Sequence, residues 1–149
     1  MRIAKLAFVA SWVLLLFLSA ATALLSLQSM YVSYSGISES FGATTTEQLR
    51  EAGGEPLVKA LRARRATAST FSLAFAILSG WVAVVPYRRG ERWAWWALLV
   101  AGGVPHFLSL GRVIAIGTTL GAAASGTSLA FLLLGLLAGV PKIFRSGEL

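Results

Sequence analysis

The chain has 149 residues, with 13 Lys and Arg against six acidic residues and a formal net charge of +7. Hydrophobic residues make up 56% of it and charged residues 13%, about half the charged share of a soluble globular domain. It has no Cys, Asp or Asn, which excludes disulfides, Cys-ligated metals, Asn-linked glycosylation and a Ser-His-Asp triad. We therefore expect a membrane protein rather than a soluble enzyme.

The few charges are separated by long uncharged stretches. Four of these stretches have 33, 22, 19 and 29 residues, and they follow Lys5, Arg65, Arg92 and Arg112 respectively. A helix needs about 20 apolar residues to cross the hydrocarbon core of a bilayer, so each stretch is long enough for one span. The pattern predicts an all-α, multi-pass membrane protein whose four transmembrane helices form a single membrane domain over residues 1–149. The predicted spans are about 6–27, 66–87, 93–118 and 120–140, with a polar loop at 28–65.

The first predicted span has two interpretations. Basic residues precede it, and Ala21-Thr22-Ala23 fits the small-residue pattern of a signal-peptide cleavage site. The apolar stretch 6–27 is longer than the roughly 7–15 residues of a signal-peptide core, which favours a retained first helix. Cleavage after about residue 23 is the alternative, and it would leave three spans.

The polar loop 28–65 is expected on the outer side of the membrane, with a short amphipathic helical segment inside it. Thr44 and Glu47 have the spacing of a capping box, so a short helix is predicted from there until Gly53-Gly54 ends it. Pro56 suits the first turn of a second helix, which continues into the second span.

Six arginines flank the predicted spans and are candidates for contact with lipid headgroups or with a partner protein. They are Arg62, Arg64 and Arg65 before the second span, and Arg88, Arg89 and Arg92 between the second and third. Basic residues at span ends are typical of membrane anchors, and the first three also fit a basic interfacial helix that binds anionic lipid or an acidic partner. Because the positive charge is dispersed around span ends, no nucleic-acid partner is expected.

Lys and Arg are biased toward the side that holds both predicted termini. Seven lie on that side and five on the other, with Arg112 near the edge. The positive-inside rule then predicts cytoplasmic N- and C-termini. Trp and Tyr residues on both sides of the 88–92 turn fit an interfacial aromatic belt.

The third span contains four residues that are unusual in an apolar helix, namely Pro105, His106, Ser109 and Arg112. Pro105 removes a backbone donor and predicts a kink. The other three lie at i, i+3 and i+6, within about 120° of the helix circumference, so they predict one polar strip. Ionisable groups inside a span commonly mark a binding site, which makes this strip a candidate ligand site. In the alternative interpretation Arg112 reaches the headgroups and the others bond within the helix.

No catalytic set accompanies the polar strip. All six acidic residues are Glu and lie outside the predicted spans, which argues against an intramembrane carboxylate pair or proton relay. With one His and no Cys, neither a metal site nor a cofactor is expected. We therefore predict that the protein is not an enzyme.

Two G-x-x-x-G patterns predict close helix packing. They are formed by Gly117 with Gly121 and by Gly135 with Gly139. Small residues at this spacing allow helix backbones to approach each other within a membrane. The partner is either another helix of this bundle or another chain, and that chain is a different membrane protein or a second copy.

Two segments carry a family resemblance. The segment Pro86–Trp96 resembles the turn between the second and third helices of many small bacterial four-helix membrane proteins. Leu110-Gly111-Arg112, followed by a glycine-containing turn and a last apolar helix, is similar to uncharacterised families in the broad DoxX-like group. The resemblance covers roughly residues 66–140. It implies a four-helix bundle in a bacterial inner membrane and assigns no catalytic residue.

The leading functional hypothesis is a non-catalytic accessory or scaffolding subunit that packs against a larger membrane complex. It follows from spans of membrane-crossing length without a catalytic or ion-transport set. The alternative is a binder or carrier of a small molecule or lipid that uses His106, Ser109 and Arg112. Membrane lipids surround the protein in both hypotheses.

Overall fold

The computed structural model describes residues 2–37, 40–42 and 44–145, and within these ranges the chain is almost entirely helical. The elements are α1 (Arg2–Ser35), β1 (Ser40–Phe41), β2 (Thr44–Thr45), α2 (Thr46–Val82), a π-helical turn (Ala83–Tyr87), α3 (Arg92–Ile116) and α4 (Ala122–Arg145). In this described part, four helices are long and apolar enough to cross a membrane. The prediction of four such helices is confirmed.

The first helix extends beyond the predicted span. The span was expected to end near residue 27, whereas α1 continues to Ser35. Ser26 and Ser33 donate hydrogen bonds to carbonyls four residues earlier, at 2.8 and 2.9 Å, so this serine-rich stretch satisfies its hydroxyls within the helix.

A two-residue hairpin precedes α2 and determines where that helix begins. Its strands are antiparallel, with Phe41 opposite Thr44. The backbone N–H of Thr45 donates to Gln48 Oε1 at 2.9 Å, and the backbone N–H of Gln48 donates to Thr45 Oγ1 at 3.3 Å. This reciprocal pair is the capping box of α2. The predicted pair, Thr44 with Glu47, is wrong by one residue because α2 begins at Thr46, which makes Thr45 the residue that precedes the helix.

Gly54 interrupts α2, as the Gly53-Gly54 pair predicts. Its backbone has φ 67° and ψ −173°, a conformation open essentially to glycine alone. Pro56 follows and has no N–H to donate to the preceding turn. The element is therefore two helices joined at Gly54, a short one from Thr46 and a long one that includes the predicted second span.

The chain packs as two compact units. The terminal unit comprises residues 1–20 and 78–149, and the middle unit comprises residues 21–77. Helices α1 and α2 contribute to both units, so a single membrane domain over 1–149 stays a prediction. The core of the terminal unit is apolar and consists of Phe8, Leu15, Val82, Ala83, Tyr87, Ala94, Leu98, Leu132, Leu136 and Ile143. Phe8 and Leu15 of α1 belong to this core, and retention of the first helix stays a prediction.

Helices α3 and α4 form a close pair in the terminal unit. A Cβ added at Gly102 would lie 2.8 Å from Leu132 Cδ2, so the glycine leaves the space that this leucine fills. Helix α3 continues through Pro105 as one element. It ends at Gly117, whose left-handed backbone (φ 71°) lets its N–H bond the Val113 carbonyl at 3.1 Å.

The π turn positions Tyr87 in the same core. In an α-helix the ring of Pro86 would collide with the carbonyl of Val82, and the wider π turn avoids that contact. Tyr87 is completely buried as a result. The chain then reverses at Gly90, which has φ 84°, and α3 begins two residues later.

Candidate functional site

Two of the three predicted ligand residues, Ser109 and Arg112, meet near the turn between α3 and α4. With Ser125 of α4 they form what we call the Ser109 cluster. Arg112 Nη2 donates to Ser109 Oγ at 2.7 Å and Arg112 Nε to the Ser109 carbonyl at 3.4 Å. The hydroxyls of Ser109 and Ser125 are hydrogen-bonded at 2.8 Å. Arg112 is exposed. Ser125 donates its proton to Ser109, so the guanidinium and the Ser109 hydroxyl are the donors that remain for an anion.

His106 lies apart from the Ser109 cluster. At 100° per residue, His106 and Arg112 lie about 60° to either side of Ser109 on the helix surface. Its ring is half-buried and makes no hydrogen bond to any residue in the described part of the chain. The structure therefore joins Ser109 with Arg112, adds Ser125, and leaves His106 without a partner in those ranges.

The outer face of α3 is the least covered surface among the four helices of the described chain that could span a membrane. In the apolar window of α3, 6% of residues are buried, against 22–28% in the other three. The exposed large side chains of α3 are Trp93, Trp96, Val100, Val104, Phe107, Leu108, Ile114 and Ile116. Most of them recur at helical spacing and form one apolar stripe.

Arg62 is used inside the middle unit. Its Nη2 donates to the carbonyls of Gly36 and Ile37, at 3.1 and 3.3 Å, immediately after α1 ends. Carbonyls at a helix C-terminus carry partial negative charge, so the guanidinium caps α1. Of the neighbouring arginines, Arg64 is exposed and has the accessibility that the predicted lipid or partner contact requires.

A seam of serine hydroxyls, here called the serine seam, joins α1 and α2 within the middle unit. The hydroxyls of Ser26 and Ser72 are 2.9 Å apart, and those of Ser29 and Ser69 are 2.8 Å apart. Arg65 Nε donates to the Ser29 hydroxyl at 3.0 Å. Small side chains let the two backbones approach, and the hydroxyls satisfy one another. Arg65 is therefore a packing residue rather than a free anchor.

The remaining candidate arginines lie at one end of the terminal unit, in a group that we call the cationic collar. It consists of Lys5, Arg88, Arg89, Arg92 and Lys142. Three of these cations lie over aromatic rings, Arg88 over Trp12 at 5.1 Å, Lys142 over Phe8 at 4.0 Å and Arg92 over Phe144 at 5.9 Å from the ring centroids. The contacts bring the start of α1, the α2–α3 turn and the end of α4 to the same end of the unit.

A buried polar contact, which sequence reasoning missed, connects α1, the π turn and α4. Ser11 Oγ donates to the Gly135 carbonyl at 2.6 Å and lies 2.6 Å from the Tyr87 hydroxyl. Because the serine proton is already used, Tyr87 is the donor to Ser11. The Tyr87 ring also stacks on Phe8, with centroids 5.7 Å apart. Gly139 supplies the space, since an added Cβ would overlap the Tyr87 hydroxyl.

The two G-x-x-x-G patterns have different positions in the structure. Gly135 and Gly139 are buried in α4, and a Cβ added at Gly135 would lie 3.1 Å from the Leu15 side chain. Gly117 and Gly121 lie outside the helices, with φ 71° and 74°, in the turn between α3 and α4. A Cβ added at Gly117 would meet nothing within 4 Å. Their spacing belongs to a chain reversal and not to a helix face.

Ionic chemistry within the described ranges is sparse. Residues 2–37, 40–42 and 44–145 contain no cluster of three or more His, Cys, Asp or Glu side chains that could hold a metal. Arg50 Nε and Glu55 Oε2 form an ion pair at 3.0 Å across the break at Gly54. The hydrogen bond from Arg50 holds the pKa of the exposed Glu55 carboxyl below its ordinary value.

The features available for function are thus the Ser109 cluster, His106 with the outer face of α3, and the cationic collar. Comparison of the chain with protein-family models, with curated proteins and with solved structures gives no match. The resemblance to DoxX-like families stays a prediction.

Proposed function

We propose that the protein is a non-catalytic accessory subunit of a larger assembly in a bacterial inner membrane, and that α3 is the helix that contacts its partner. The observation that carries this proposal is His106. Its ring lacks a hydrogen-bond partner in the described chain, on the helix that the chain covers least.

The position of His106 supports a protein partner. It is the fifteenth of the 25 residues of α3, close to the middle of the apolar stretch. An unsatisfied polar group at that depth costs several kcal/mol in lipid, and ionisable side chains within spans face protein or water. A second membrane chain that offers a hydroxyl, amide or backbone carbonyl at this depth would satisfy the ring.

The surface beside His106 fits a packed helix. On the helix wheel Gly103 lies between His106 and Phe107. A Cβ added at Gly103 would meet only Leu99 Cδ1, at 4.0 Å, so a neighbouring backbone has room to approach. The exposed Phe107, about 40° from Gly103 and 100° from His106 on the helix wheel, then supplies the van der Waals contact.

Site-specific photocrosslinking tests the proposal with a matched pair of positions. Phe107 on α3 and Phe17 on α1 are 69% and 66% exposed, so replacing either with benzoylphenylalanine places the same probe at equal exposure. We expect an adduct with one defined protein chain from position 107 and only lipid adducts from position 17. The complex is irradiated in native membranes and identified by mass spectrometry.

A second substitution ties that adduct to His106. His106→Leu removes the hydrogen-bonding ring and is expected to abolish the protein adduct at position 107, whereas His106→Gln is expected to retain it. Lipid adducts alone at position 107 would contradict the proposal. An adduct with the mass of two copies of this chain would show that α3 contacts a second copy of the protein rather than a different subunit.

One observation favours the alternative, a carrier of an anionic amphiphile. The Ser109 cluster presents an exposed guanidinium beside two hydroxyls on two helices. Under this alternative Arg112→Gln removes binding of dodecyl phosphate, measured by calorimetry in detergent. Under the subunit proposal the same substitution leaves the position-107 adduct unchanged, so one variant separates the two functions.

The proposed orientation places the cationic collar in the cytoplasm. Its support is the excess of basic residues at the end of the terminal unit where the start of α1 contacts both the α2–α3 turn and the end of α4. The chain has no Cys, so single-cysteine variants report orientation directly. A membrane-impermeant maleimide is expected to label Lys59→Cys in intact cells and Arg89→Cys only after permeabilisation. The reverse pattern would invert the topology.

A further inference from the structure

The start of α1 carries two aromatic rings, Phe8 and Trp12, and a cation from a different element lies over each. Lys142 of α4 lies 4.0 Å from the centroid of Phe8, and the Arg88 guanidinium lies 5.1 Å from that of Trp12. Residues four apart on a helix have Cβ atoms about 5–6 Å apart, so the two cations lie over neighbouring positions. With Lys5, one turn before Phe8, these residues form what we call the Phe8–Trp12 site.

The positive charge of the Phe8–Trp12 site is not neutralised within the described chain. None of Lys5, Arg88 and Lys142 forms an ion pair with a described carboxylate, and all three are exposed. Glu91 is the carboxylate nearest in sequence, and it accepts a hydrogen bond from Trp93 Nε1 at 2.5 Å. An aromatic face attracts a cation but accepts none of its N–H bonds well, so ammonium and guanidinium donors stay available.

An apolar strip runs along α1 beside the Phe8–Trp12 site. It consists of Leu6, Val9, Val13 and Phe17, all exposed. At 100° per residue these four lie within about 80° of one another, on the side of α1 next to Lys5. Charged donors at one end of a lipid-facing apolar strip match the two parts of a phospholipid.

We propose that the Phe8–Trp12 site binds one anionic phospholipid. Its phosphodiester accepts hydrogen bonds from Arg88 and Lys142, its headgroup lies near Lys5, and an acyl chain covers the apolar strip of α1. Several cations converge at the site, and no described carboxylate lies among them to bind the choline group of a zwitterionic lipid. The site therefore favours an anionic lipid. The comparable basic run at 62–65 is a poorer site, since Arg62 and Arg65 already bind a carbonyl pair and a hydroxyl.

Lipid binding is measured by native mass spectrometry of the full chain in detergent, titrated with phosphatidylglycerol or phosphatidylcholine. The wild-type chain is expected to retain phosphatidylglycerol roughly tenfold more tightly than phosphatidylcholine. The double variant Arg88→Gln with Lys142→Gln is expected to lose that preference. The matched control is Lys59→Gln with Arg64→Gln, which removes two exposed charges from the middle unit and is expected to keep it.

Further measurements test whether the lipid preference comes from the two charges, from the fold or from phosphate binding alone. Arg88→Lys with Lys142→Arg keeps both charges and is expected to restore the preference, whereas a fold defect would not be rescued. Excess inorganic phosphate is expected not to displace the lipid, because it has no acyl chain. Equal losses in the two charge-removing variants, displacement by phosphate, or equal retention of both lipids would each overturn the proposal. Thermal unfolding by circular dichroism confirms that every variant is folded.

Discussion

The terminal unit and the middle unit are held together by different chemistry. The terminal unit packs aromatic and branched apolar side chains around a buried hydrogen-bonded group, Ser11 with Tyr87 and the Gly135 carbonyl. The middle unit relies on the serine seam and on arginines that bind carbonyl and hydroxyl oxygens. Arginines lie over aromatic rings in both units, Arg65 over Phe41 and Arg88 over Trp12. The difference is in their hydrogen bonds: Arg65 also binds the Ser29 hydroxyl, whereas Arg88 makes no hydrogen bond to a described residue.

The difference teaches that a basic residue beside a span is not by itself an anchor. Arg62 and Arg88 both flank the predicted second span, 66–87, and the sequence predicts the same role for them. Arg62 binds carbonyls just after the end of α1, whereas Arg88 contacts the ring of Trp12 and makes no hydrogen bond to a described residue. A guanidinium stays available for lipid where no protein oxygen atom lies within hydrogen-bonding distance of it.

The largest effect is expected from Gly139→Ala, which tests the terminal unit. The added methyl group overlaps the Tyr87 hydroxyl and lies 2.9 Å from Ser11 Oγ, so α4 must move away. Overpacking of this kind costs about 3 kcal/mol of unfolding free energy. Gly103→Ala is the control, because its methyl group meets only Leu99 Cδ1 at 4.0 Å. Unfolding measured in detergent should separate the two variants, and equal stabilities would mean that the Tyr87 contact is unimportant.

A smaller effect is expected from Arg62→Met, which tests the middle unit. Methionine keeps an apolar stem but loses the hydrogen bonds to the Gly36 and Ile37 carbonyls, costing about 1 kcal/mol. Amide exchange at the end of α1 should accelerate about fivefold, since 1.4 kcal/mol corresponds to tenfold. Arg64→Met removes an exposed charge and should leave exchange unchanged. Similar exchange in both variants would show that α1 needs no arginine cap.

The serine seam should show a coupling of about 0.6 kcal/mol between Ser26 and Ser72, the usual value for a hydrogen bond between membrane helices. The measurement is a double-mutant cycle with Ser26→Ala and Ser72→Ala, read from the unfolding free energy in bicelles. Ser35 and Ser72 provide the control cycle, because Ser35 bonds only the carbonyl of Val32 in the described chain. Additive effects in the Ser26–Ser72 cycle would mean that the seam is stabilised by close packing and not by this hydrogen bond.

The smallest effect concerns Glu55 and pH. Its folded pKa lies below the unfolded value because Arg50 binds the carboxylate. The pair therefore stabilises the short helix at pH values above the unfolded pKa, and this contribution is lost as pH falls through the folded pKa. NMR titration should show Arg50→Gln raising the Glu55 pKa more than Lys59→Gln does. A larger shift in the Lys59 variant would assign the effect to general charge rather than to the hydrogen bond.

Charge spacing was sufficient to predict the four apolar helices, because a bilayer core fixes how many uncharged residues a span needs. The break at Gly54 was also predictable, since its conformation is one that glycine alone adopts readily. The capping box was displaced by one residue because Thr44 with Glu47 and Thr45 with Gln48 both have the required spacing. The hairpin that ends at Thr45 pairs it with Ser40, a contact that the local pattern does not contain.

The serine seam has a signal in the sequence that the prediction did not use. Ser19, Ser26 and Ser33 are seven residues apart and all buried, a repeat that places them on one face of α1. The pairs that cross to α2, Ser26 with Ser72 and Ser29 with Ser69, are 46 and 40 residues apart, so those hydrogen bonds are visible only in the tertiary structure. The Ser109 cluster was half predicted for the same reason, since Ser125 is on a different helix from Ser109 and Arg112.

The arginine cap on α1 also has a consequence for the order of events during synthesis. Arg62 follows Gly36 by 26 residues, whereas Gly135 follows Ser11 by 124. At about 5–20 residues per second, the ribosome delivers Arg62 roughly 1–5 s after Gly36 but Gly135 roughly 6–25 s after Ser11. The middle unit therefore has all its partners early, while the first turns of α1 wait for the last helix. Until α4 has been made, the Ser11 hydroxyl lacks the Gly135 carbonyl that it binds in the folded chain.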